Sequence, residues 1–338
     1  MVCSFFLGAN TPRGFYSLFD ELSLFDVSVI KGGSGSGKST LIKELISKTL
    51  SGGLCERILC ASDTASLDGA VFHGDSIAVV DGTPPHTCEV RGMGRYIVTP
   101  PPGDGVKAKR NTLIELKEVK QQAYARAYGC LHGAWIAEAQ ARQLIGFDGE
   151  RFTRRADGIA EREARPTGIR GRIHRRFIDG FTCDGFLTLR DTVSALAGRL
   201  YIIQDRLGLA SGFFKALEDR LCERGYEIFS CMSPMQPEHI RHIIVPELSL
   251  AFVTSDDIAP FEEDAYRNIH ISSCIDKDSL RKNRAKLRLF DRLRHELLQQ
   301  AYGEFKTARS AHIETESIYR PCLDIEALQE LNRRTVLK

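Results

Sequence analysis

Apolar residues in the first hundred positions occur in short runs separated by polar segments. Asp26–Lys31 is a β-branched run that predicts a buried strand, and apolar residues at helical spacing predict a helix over residues 40–50. Further strands are predicted over residues 57–61 and Ile77–Asp81. Strands that alternate with a helix in this way indicate an α/β fold.

Each half of the chain ends in long segments of helical spacing. Thr112 and Glu115 form the pattern of a capping box at the start of the first segment. The helices are expected from Thr112 toward Ile145, from Asp278 and Ser279 toward Tyr319, and, after short breaks, over residues 150–164 and 325–336. The sequence therefore predicts a helical hairpin in each half, over residues of about 108–164 and about 278–336.

The last long helix carries an amphipathic stripe. Its apolar members are Leu287, Phe290, Leu293, Leu297 and Leu298, with charged residues between them. Such a stripe is typical of packing between helices. A lid or partner-binding arm that moves with a bound ligand is the alternative.

Segments of the first half recur in the second half with a period of about 170 residues. The matched segments are residues 6–15 with 177–186, 60 and 62 with 231 and 233, the strand and loop from position 30 with 201–212, and 127–129 with 301–303. A tandem duplication explains the repeat. It predicts two three-layer α/β domains, residues 1–166 (the first copy) and 167–338 (the second copy), and a chain of 338 residues is long enough for both.

Between the first predicted strand and helix lies a segment that we call the glycine loop. Its residues are Gly32, Gly33, Ser34, Gly35, Ser36, Gly37, Lys38, Ser39 and Thr40. They fit the phosphate-binding template G-x-x-x-x-G-K-[ST], in which glycines let backbone N–H groups approach phosphate oxygens. Lys38 would reach the outer phosphates, and the Ser39 hydroxyl would bind Mg2+. A flexible glycine-serine turn is the alternative interpretation.

Acidic residues follow the neighbouring strands. Asp81 ends an apolar strand and is predicted to bind the metal, with a turn-forming aspartate as the alternative. Ligands of open α/β sheets bind beyond the carboxyl ends of the strands. Asp63, Asp68 and His86 are therefore candidates to orient an attacking water or acceptor, and capping or turn roles remain open for each.

The second copy lacks the chemistry of the glycine loop. The matched pairs are Gly32 and Asp205, Gly37 and Ala210, Lys38 and Ser211, Ser39 and Gly212, and Asp81 and Thr254. Asp205 would place a negative charge against the phosphates. This pattern predicts a pseudo-domain that does not bind nucleotide in the usual way, and the alternative is a second copy that binds a different ligand.

The net charge of the chain does not distinguish between classes of binding partner. The chain has 46 Lys and Arg against 44 Asp and Glu, so its net charge of +2 neither favours nor excludes nucleic acid. Nine arginines between positions 151 and 176 form a basic stretch at the domain junction. A solvated linker is the favoured interpretation; a phosphate-sensing arginine and a site for an anionic partner such as RNA are the alternatives.

The spacing of the cysteines and the lengths of the apolar runs indicate the cellular compartment of the protein. Ten cysteines lack C-x-x-C or Cys/His ligand spacing, so the pattern predicts reduced thiols without a disulfide framework or a zinc site. Residues 1–7 are too short for a secretory signal, and no apolar run approaches the ~20 residues that span a bilayer. These features predict a cytoplasmic protein without a membrane partner.

Four stretches carry a resemblance to a known family: residues 8–19, 32–40, 60–68 and 80–86. Through them the chain resembles a little-characterised bacterial family of tandem phosphate-loop (P-loop) proteins named as ATPases. The resemblance implies ATP binding and supplies no established substrate. Both halves of the family's members resemble intact loops, so the eroded second loop departs from that pattern.

Together these patterns predict Mg2+-dependent binding and hydrolysis of ATP in the first copy, with adenine as the default base. The loop N–H groups, Lys38 and the metal would spread the charge of the transferred phosphoryl group. One alternative is a kinase that transfers the phosphoryl group to a small molecule. The other is a nucleotide-gated switch that binds a protein or RNA partner.

Overall fold

The computed structural model describes residues 1–33, 35–49, 53–83 and 95–335. Its first copy contains a six-stranded mixed sheet, a β-hairpin and a helix after the glycine loop. These elements are β1 (Val2–Phe5), β2 (Gly8–Thr11), β3 (Gly14–Ser17), β4 (Asp26–Lys31), α1 (Lys38–Thr49), β5 (Cys55–Leu59), β6 (Leu67–Phe72), β7 (Ile77–Asp81) and β8 (Arg95–Val98).

Three helices connect this sheet to a second one. They are α2 (Arg110–Gln143), α3 (Gly149–Thr153) and α4 (Arg155–Glu163). The second copy then contains β9 (Ile173–Arg176), β10 (Asp179–Thr182), β11 (Gly185–Thr188), α5 (Arg190–Leu196), β12 (Arg199–Gln204), α6 (Ser211–Glu223), β13 (Ile228–Met232), β14 (Ile240–Val245), β15 (Leu250–Ser255), β16 (Arg267–His270), α7 (Lys277–Tyr319) and α8 (Ile325–Arg334).

The two sheets have the same strand order. The first runs β1-β5-β6-β7-β4-β8 and the second runs β9-β13-β14-β15-β12-β16. In each, one strand, β6 or β14, is antiparallel to both of its neighbours, while the other pairings are parallel. The α/β fold and the repeat are therefore confirmed, and the expected boundary at residues 166 and 167 falls between α4 and β9.

Each copy also carries a short hairpin with the same turn. Gly14 and Gly185 have φ angles of 102° and 111°, a conformation that glycine adopts without steric cost. Thr11 and Thr182 donate hydroxyl hydrogen bonds to the carbonyls of these two glycines, at 2.7 and 2.9 Å. The repeated pattern of apolar residues and glycines in residues 6–15 and 177–186 therefore encodes this turn.

The two copies share one apolar core where the edge strands β1 and β9 meet. Phe6 and Phe177 exchange two backbone hydrogen bonds of 2.9 Å, one in each direction. Phe5 stacks on Phe229 with ring centroids 5.0 Å apart. Because separating buried apolar surface costs free energy, the shared core holds the second copy to the first.

The helices differ from the predicted hairpins. α2 packs along α7, and no other pair of described elements is in more extensive contact. α3 and α4 of the first copy pack on α6 of the second copy, whereas α8 of the second copy contacts α1 of the first. Small buried residues, Ala127 and Ala301 among them, allow α2 and α7 to approach closely. The prediction of a separate hairpin in each copy was therefore wrong, because the long helices pair across the copies.

The two long helices, α2 and α7, also differ from each other in how their N-termini are capped. α2 begins at Arg110, so Thr112 lies inside the helix and the predicted capping box is wrong. α7 begins at Lys277, where the Asp276 side chain accepts hydrogen bonds from the N–H groups of Asp278 and Ser279. Asp276 is thus the N-cap of the longest helix in the described chain.

Candidate functional site

The glycine loop connects β4 to α1 at the carboxyl end of the parallel strands. Gly35 and Gly37 have φ angles of 68° and 81°, which favour glycine. A Cβ atom on Gly32 would lie 2.0 Å from Oγ1 of Thr99, so the strand end also requires glycine. The Leu41 N–H donates to the Gly37 carbonyl at 2.9 Å and begins the helical pattern of α1. The local sequence therefore follows from backbone conformation and close packing.

Lys38 is buried at the start of α1, with 7% of its surface exposed. Its Nζ donates hydrogen bonds to the carbonyls of Gly33 and Gly32, at 2.6 and 3.3 Å. The same nitrogen lies 3.7 Å from Oδ2 of Asp81. A positive and a negative charge therefore stand side by side at the base of the glycine loop.

Asp81 ends β7, which pairs with β4 so that Asp81 lies opposite Ile30. Its Oδ1 accepts a hydrogen bond from the Thr83 N–H at 2.8 Å. The turn role is therefore present together with the predicted position beside the loop. Oδ2 faces Lys38, so this carboxylate has a contact on each oxygen.

Ser39 lies next to Lys38 in the first turn of α1. Its Oγ accepts a hydrogen bond from the Leu67 N–H at 2.9 Å, which ties the loop to the start of β6. Hydroxyl and carboxylate oxygens are the ligands that Mg2+ prefers in proteins. The donor chemistry of Ser39 and Asp81 therefore fits the predicted metal.

Asp63 lies on the connection from β5 to β6, and Asp68 is the second residue of β6, at the same edge of the sheet. Oδ1 of Asp63 accepts from the Ala65 N–H at 3.2 Å and from Arg309 at 2.8 Å, and Oδ2 accepts from the Ser66 hydroxyl at 2.7 Å. Asp68 is buried, and burial together with its charge raises the pKa of the Cys60 thiol. A role for Asp63 or Asp68 in orienting a nucleophile stays a prediction, and Ser34 and His86 lie outside the described residues.

Side chains of the long helices complete this edge. Arg309 of α7 contacts Asp63, and the Tyr124 hydroxyl of α2 donates to Oγ of Ser62 at 2.7 Å. Burial lowers the pKa of His312, one turn of α7 beyond Arg309. Sequence reasoning missed these three residues, because the pairing of α2 with α7 brings them to the first sheet. The amphipathic stripe of α7 indicated helix packing, but it ends at Leu298 and includes none of the three.

The arginines of the junction lie elsewhere. Arg175 donates to Oε2 of Glu218 at 3.0 Å, and the fully buried Arg176 donates to both oxygens of Glu56, at 2.6 and 2.9 Å. Arg162 bonds the Tyr201 hydroxyl at 2.7 Å. The interpretation of this stretch as a solvated linker was therefore wrong for the fully buried Arg176 and the half-buried Arg175, which pair with carboxylates of the fold.

The end of α7 and helix α8 cover the glycine loop. A Cβ atom on Gly35 would lie 3.5 Å from Cβ of Tyr319, and one on Gly37 would lie 3.4 Å from a methyl carbon of Leu328. Lys48 of α1 donates a hydrogen bond to the Asn332 carbonyl of α8. The C-terminal segment of the second copy thus lies close to the loop of the first.

The loop of the second copy is occupied by one of its own side chains. The Asp205 carboxylate accepts hydrogen bonds from the N–H groups of Leu207, Leu209 and Ala210, at 3.2, 3.0 and 2.8 Å. Burial raises the pKa of Asp205, and these three hydrogen bonds oppose that shift. In a phosphate-binding loop, amide groups of this kind would donate to phosphate oxygens.

A network of charged side chains lies beside this loop in the second copy. His242 bonds Oδ2 of the buried Asp179 at 2.7 Å and accepts from the N–H of Thr254, the residue matched to Asp81, at 3.1 Å. Burial works against ionisation of Asp179, but His242 and Arg241 lower its pKa. Asp205 and Thr254, the residues matched to Gly32 and Asp81, therefore contact groups of the fold itself.

A cavity of about 740 Å³ lies between the loop of the second copy, α2 and the first half of α7. Leu280 and Leu287 line it, together with the exposed arginines Arg281, Arg284 and Arg288. The alternative drawn from the sequence, a second copy that binds a different ligand, stays a prediction.

Comparison of the chain with protein-family models, with curated proteins and with solved structures gave no match. Among the described helices, none is both long enough and apolar enough to cross a bilayer.

Proposed function

We propose that the chain is a P-loop nucleoside triphosphatase that binds Mg2+ and ATP in its first copy and hydrolyses the bound nucleotide. The observation that carries the proposal is the contact of Lys38 with the carbonyls of the glycine loop and with Asp81 across two adjacent parallel strands. Strand, glycine loop and helix stand in the order that the P-loop motif requires. The resemblance to tandem P-loop proteins named as ATPases agrees with this proposal.

The chemistry would rest on positioning and electrostatics. The loop N–H groups and the N-terminus of α1 would hold the phosphates, while Lys38 exchanges its carbonyl partners for phosphate oxygens. Bound Mg2+ would supply positive charge to the phosphate oxygens, and Ser39 and Asp81 are the residues that would hold it. Arg309 and Asp63 would fix α7 beside the nucleotide.

We further propose that only the first copy binds ATP. In the second copy, the Asp205 carboxylate already accepts the hydrogen bonds of three loop N–H groups. A triphosphate would have to displace this carboxylate and then bind without a lysine at position 211. Both costs disfavour the binding of a triphosphate to the second copy. The second copy would instead serve as a scaffold for the long helices.

A second candidate function is a nucleotide-gated switch, and one observation favours it. Leu328 and Tyr319 lie against Gly37 and Gly35, where bound phosphates would approach the loop. ATP would then have to displace the C-terminal segment, and a partner could recognise the displaced segment. A switch predicts tight binding with negligible turnover, whereas an ATPase predicts continuous phosphate release.

The test compares Mg2+-dependent phosphate release by wild type, Lys38→Ala and Lys282→Ala, an exposed lysine of α7 that serves as the matched control. Loss of a charge-assisted contact of about 1.5–3 kcal/mol should weaken ATP binding roughly 10- to 100-fold and abolish release in Lys38→Ala. Lys282→Ala should behave as wild type. Equal release by both variants would contradict the proposal, and tight Lys38-dependent binding without release would favour the switch.

A further inference from the structure

Two histidines and a glutamate meet where the two copies join, on the side of the fold away from the glycine loop. His73 follows β6, His174 lies in β9, and Glu227 precedes β13. One potential ligand atom from each residue lies within 4.8 Å of the other two. His174 is buried, and Glu227 has 45% of its side chain exposed, so the cluster is reachable from solvent.

The surroundings orient the His73 ring. Its Nε2 lies 2.5 Å from Oε1 of Glu56, a carboxylate that Arg176 holds through two further hydrogen bonds. The ring also packs against Phe229, with centroids 6.0 Å apart. Because Nε2 faces Glu56, Nδ1 is the nitrogen left for a metal. A carboxylate on the far nitrogen is the usual partner of a metal-binding histidine.

The second histidine already contacts its carboxylate. Nε2 of His174 lies 2.6 Å from Oε1 of Glu227, and the ring stacks on Phe229 with centroids 5.3 Å apart. A cation that replaced the hydrogen-bonding proton between these two atoms would bind both, and the proton would pass to water. The ring would keep its place against Phe229.

We propose that His73, His174 and Glu227 form a site for a divalent first-row transition metal, of which Zn2+ is the natural probe. Two imidazoles and one carboxylate suit Zn2+ and similar ions, whereas Mg2+ and Ca2+ prefer all-oxygen ligands. With Zn–N distances of about 2.0–2.1 Å, neighbouring donors stand roughly 3.3 Å apart. Nε2 of His174 and Oε1 of Glu227, which lie 2.6 Å apart, must therefore separate slightly when the ion enters. The exposed Glu227 side chain can make this movement.

The site would join the two copies. His73 belongs to the first copy, and His174 and Glu227 belong to the second, so one ion would add a cross-link beside the shared core. The two histidines are about a hundred residues apart in the sequence. For this reason the spacing rules that recognise zinc motifs could not identify the cluster.

The experiment titrates the metal-free, full-length protein with Co2+, which absorbs visible light when bound by nitrogen and oxygen ligands in a low-coordinate site. Excess Mg2+ is present and nucleotide is omitted, so that oxygen sites such as Ser39 and Asp81 do not contribute. The expected result is one Co2+ per chain, displaced by Zn2+. Zn2+ at a hundredfold excess over its Kd should also raise Tm by roughly 5 °C.

Three variants test whether the Co2+ absorption arises from the cluster of His73, His174 and Glu227. His73→Ala and Glu227→Gln should each weaken Co2+ binding at least roughly 10-fold, while His295→Ala, an exposed histidine of α7, should bind as wild type. Glu227 is partly exposed, so its variant should keep the wild-type circular dichroism spectrum without metal. Absence of a Co2+ band in wild type, or the same stoichiometric binding in both cluster variants, would overturn the proposal.

Discussion

Asp81 combines a turn contact and a charge contact in one carboxylate. Oδ1 accepts from the Thr83 N–H at 2.8 Å, and Oδ2 lies 3.7 Å from Nζ of Lys38. An asparagine could keep the first contact, because its amide oxygen also accepts a hydrogen bond, but it could not supply the charge. The turn and metal roles of this residue can therefore be separated by a single substitution.

Asp81→Asn should lower Mg2+-dependent ATP turnover roughly 100-fold, a typical effect of losing one electrostatic contact to the transition state. ATP binding without Mg2+ should change little, because Lys38 and the loop N–H groups remain. Phosphate release and ATP binding, measured with and without Mg2+, check both parts. The matched control is Asp264→Asn, at an exposed position of the second copy. Wild-type turnover in Asp81→Asn would show that the residue serves only the turn.

Residues of the glycine loop could be predicted because local backbone geometry dictates them. Gly37 needs a positive φ, and Lys38 follows it in a fixed motif. The hydrogen bonds of Asp205 and the ion pair of Arg309 could not be predicted from the sequence. Sequence alignment placed a charge at position 205, but only the folded loop shows that three N–H groups donate to it. Arg309 reaches Asp63 through the packing of two helices.

At the scale of elements, α8 is the part best placed to control access to the glycine loop. Leu328 lies 3.4 Å from the position of a Cβ on Gly37, and Leu331 packs against the core beneath α1. No residue of α8 is fully buried. A helix held by few buried contacts opens at low free-energy cost. The covered loop and the ATP-bound loop would therefore exchange by movement of this helix.

Leu328→Gln should tighten the apparent binding of ATP several-fold, because weaker packing of α8 increases the population with an accessible loop. Ile325→Gln is the matched control, since Ile325 belongs to the same helix and is 54% exposed. Titration with a fluorescent ATP analogue measures both affinities. If Leu328→Gln binds ATP as weakly as wild type does, α8 does not limit access.

The element types were largely predictable, whereas their pairing was not. The strands, the loop helix and the long helices follow from apolar periodicity, which is a local property. The stripe on α7 correctly predicted helix packing: Leu298 is buried against α2, although Leu293 remains 38% exposed. The partner helix was wrong, because the choice between a helix nearby in sequence and one more than a hundred residues away depends on the complete surfaces of both copies.

At the scale of the whole molecule, an ion pair and an aromatic stack are among the contacts that join the copies. Glu56 of β5 and Arg176 of β9 form a fully buried pair beside the stacked rings of Phe5 and Phe229. Burial alone would raise the pKa of Glu56, but Arg176 and His73 lower it to about 2. The junction therefore depends on the ionised carboxylate.

The pH dependence of stability follows from this shift. The pKa of Glu56 falls from 4.5 to about 2 on folding, so the ionised pair stabilises the fold above pH of about 4.5. This contribution is lost as the pH falls toward 2. Glu56→Gln leaves Arg176 buried without its anion, and it should lower the free energy of unfolding by about 3–5 kcal/mol at pH 7.

Urea unfolding of wild type and Glu56→Gln at several pH values measures this difference. The gap between the two should narrow as the pH decreases from 4.5 toward 2, while Glu118→Gln, at an exposed position of α2, should follow wild type throughout. A gap that stays constant over this range would show that the Glu56 carboxylate does not carry the pH dependence.

The stoichiometry of ATP binding tests most directly whether the first copy alone holds the nucleotide. Equilibrium dialysis with labelled ATP and Mg2+ should find one ATP per chain in wild type and in Ser211→Lys, because Asp205 still occupies the second loop. Lys38→Ala should bind this ATP roughly 10- to 100-fold more weakly. Two ATP per chain, or a full site that survives Lys38→Ala, would contradict the assignment of the nucleotide to the glycine loop.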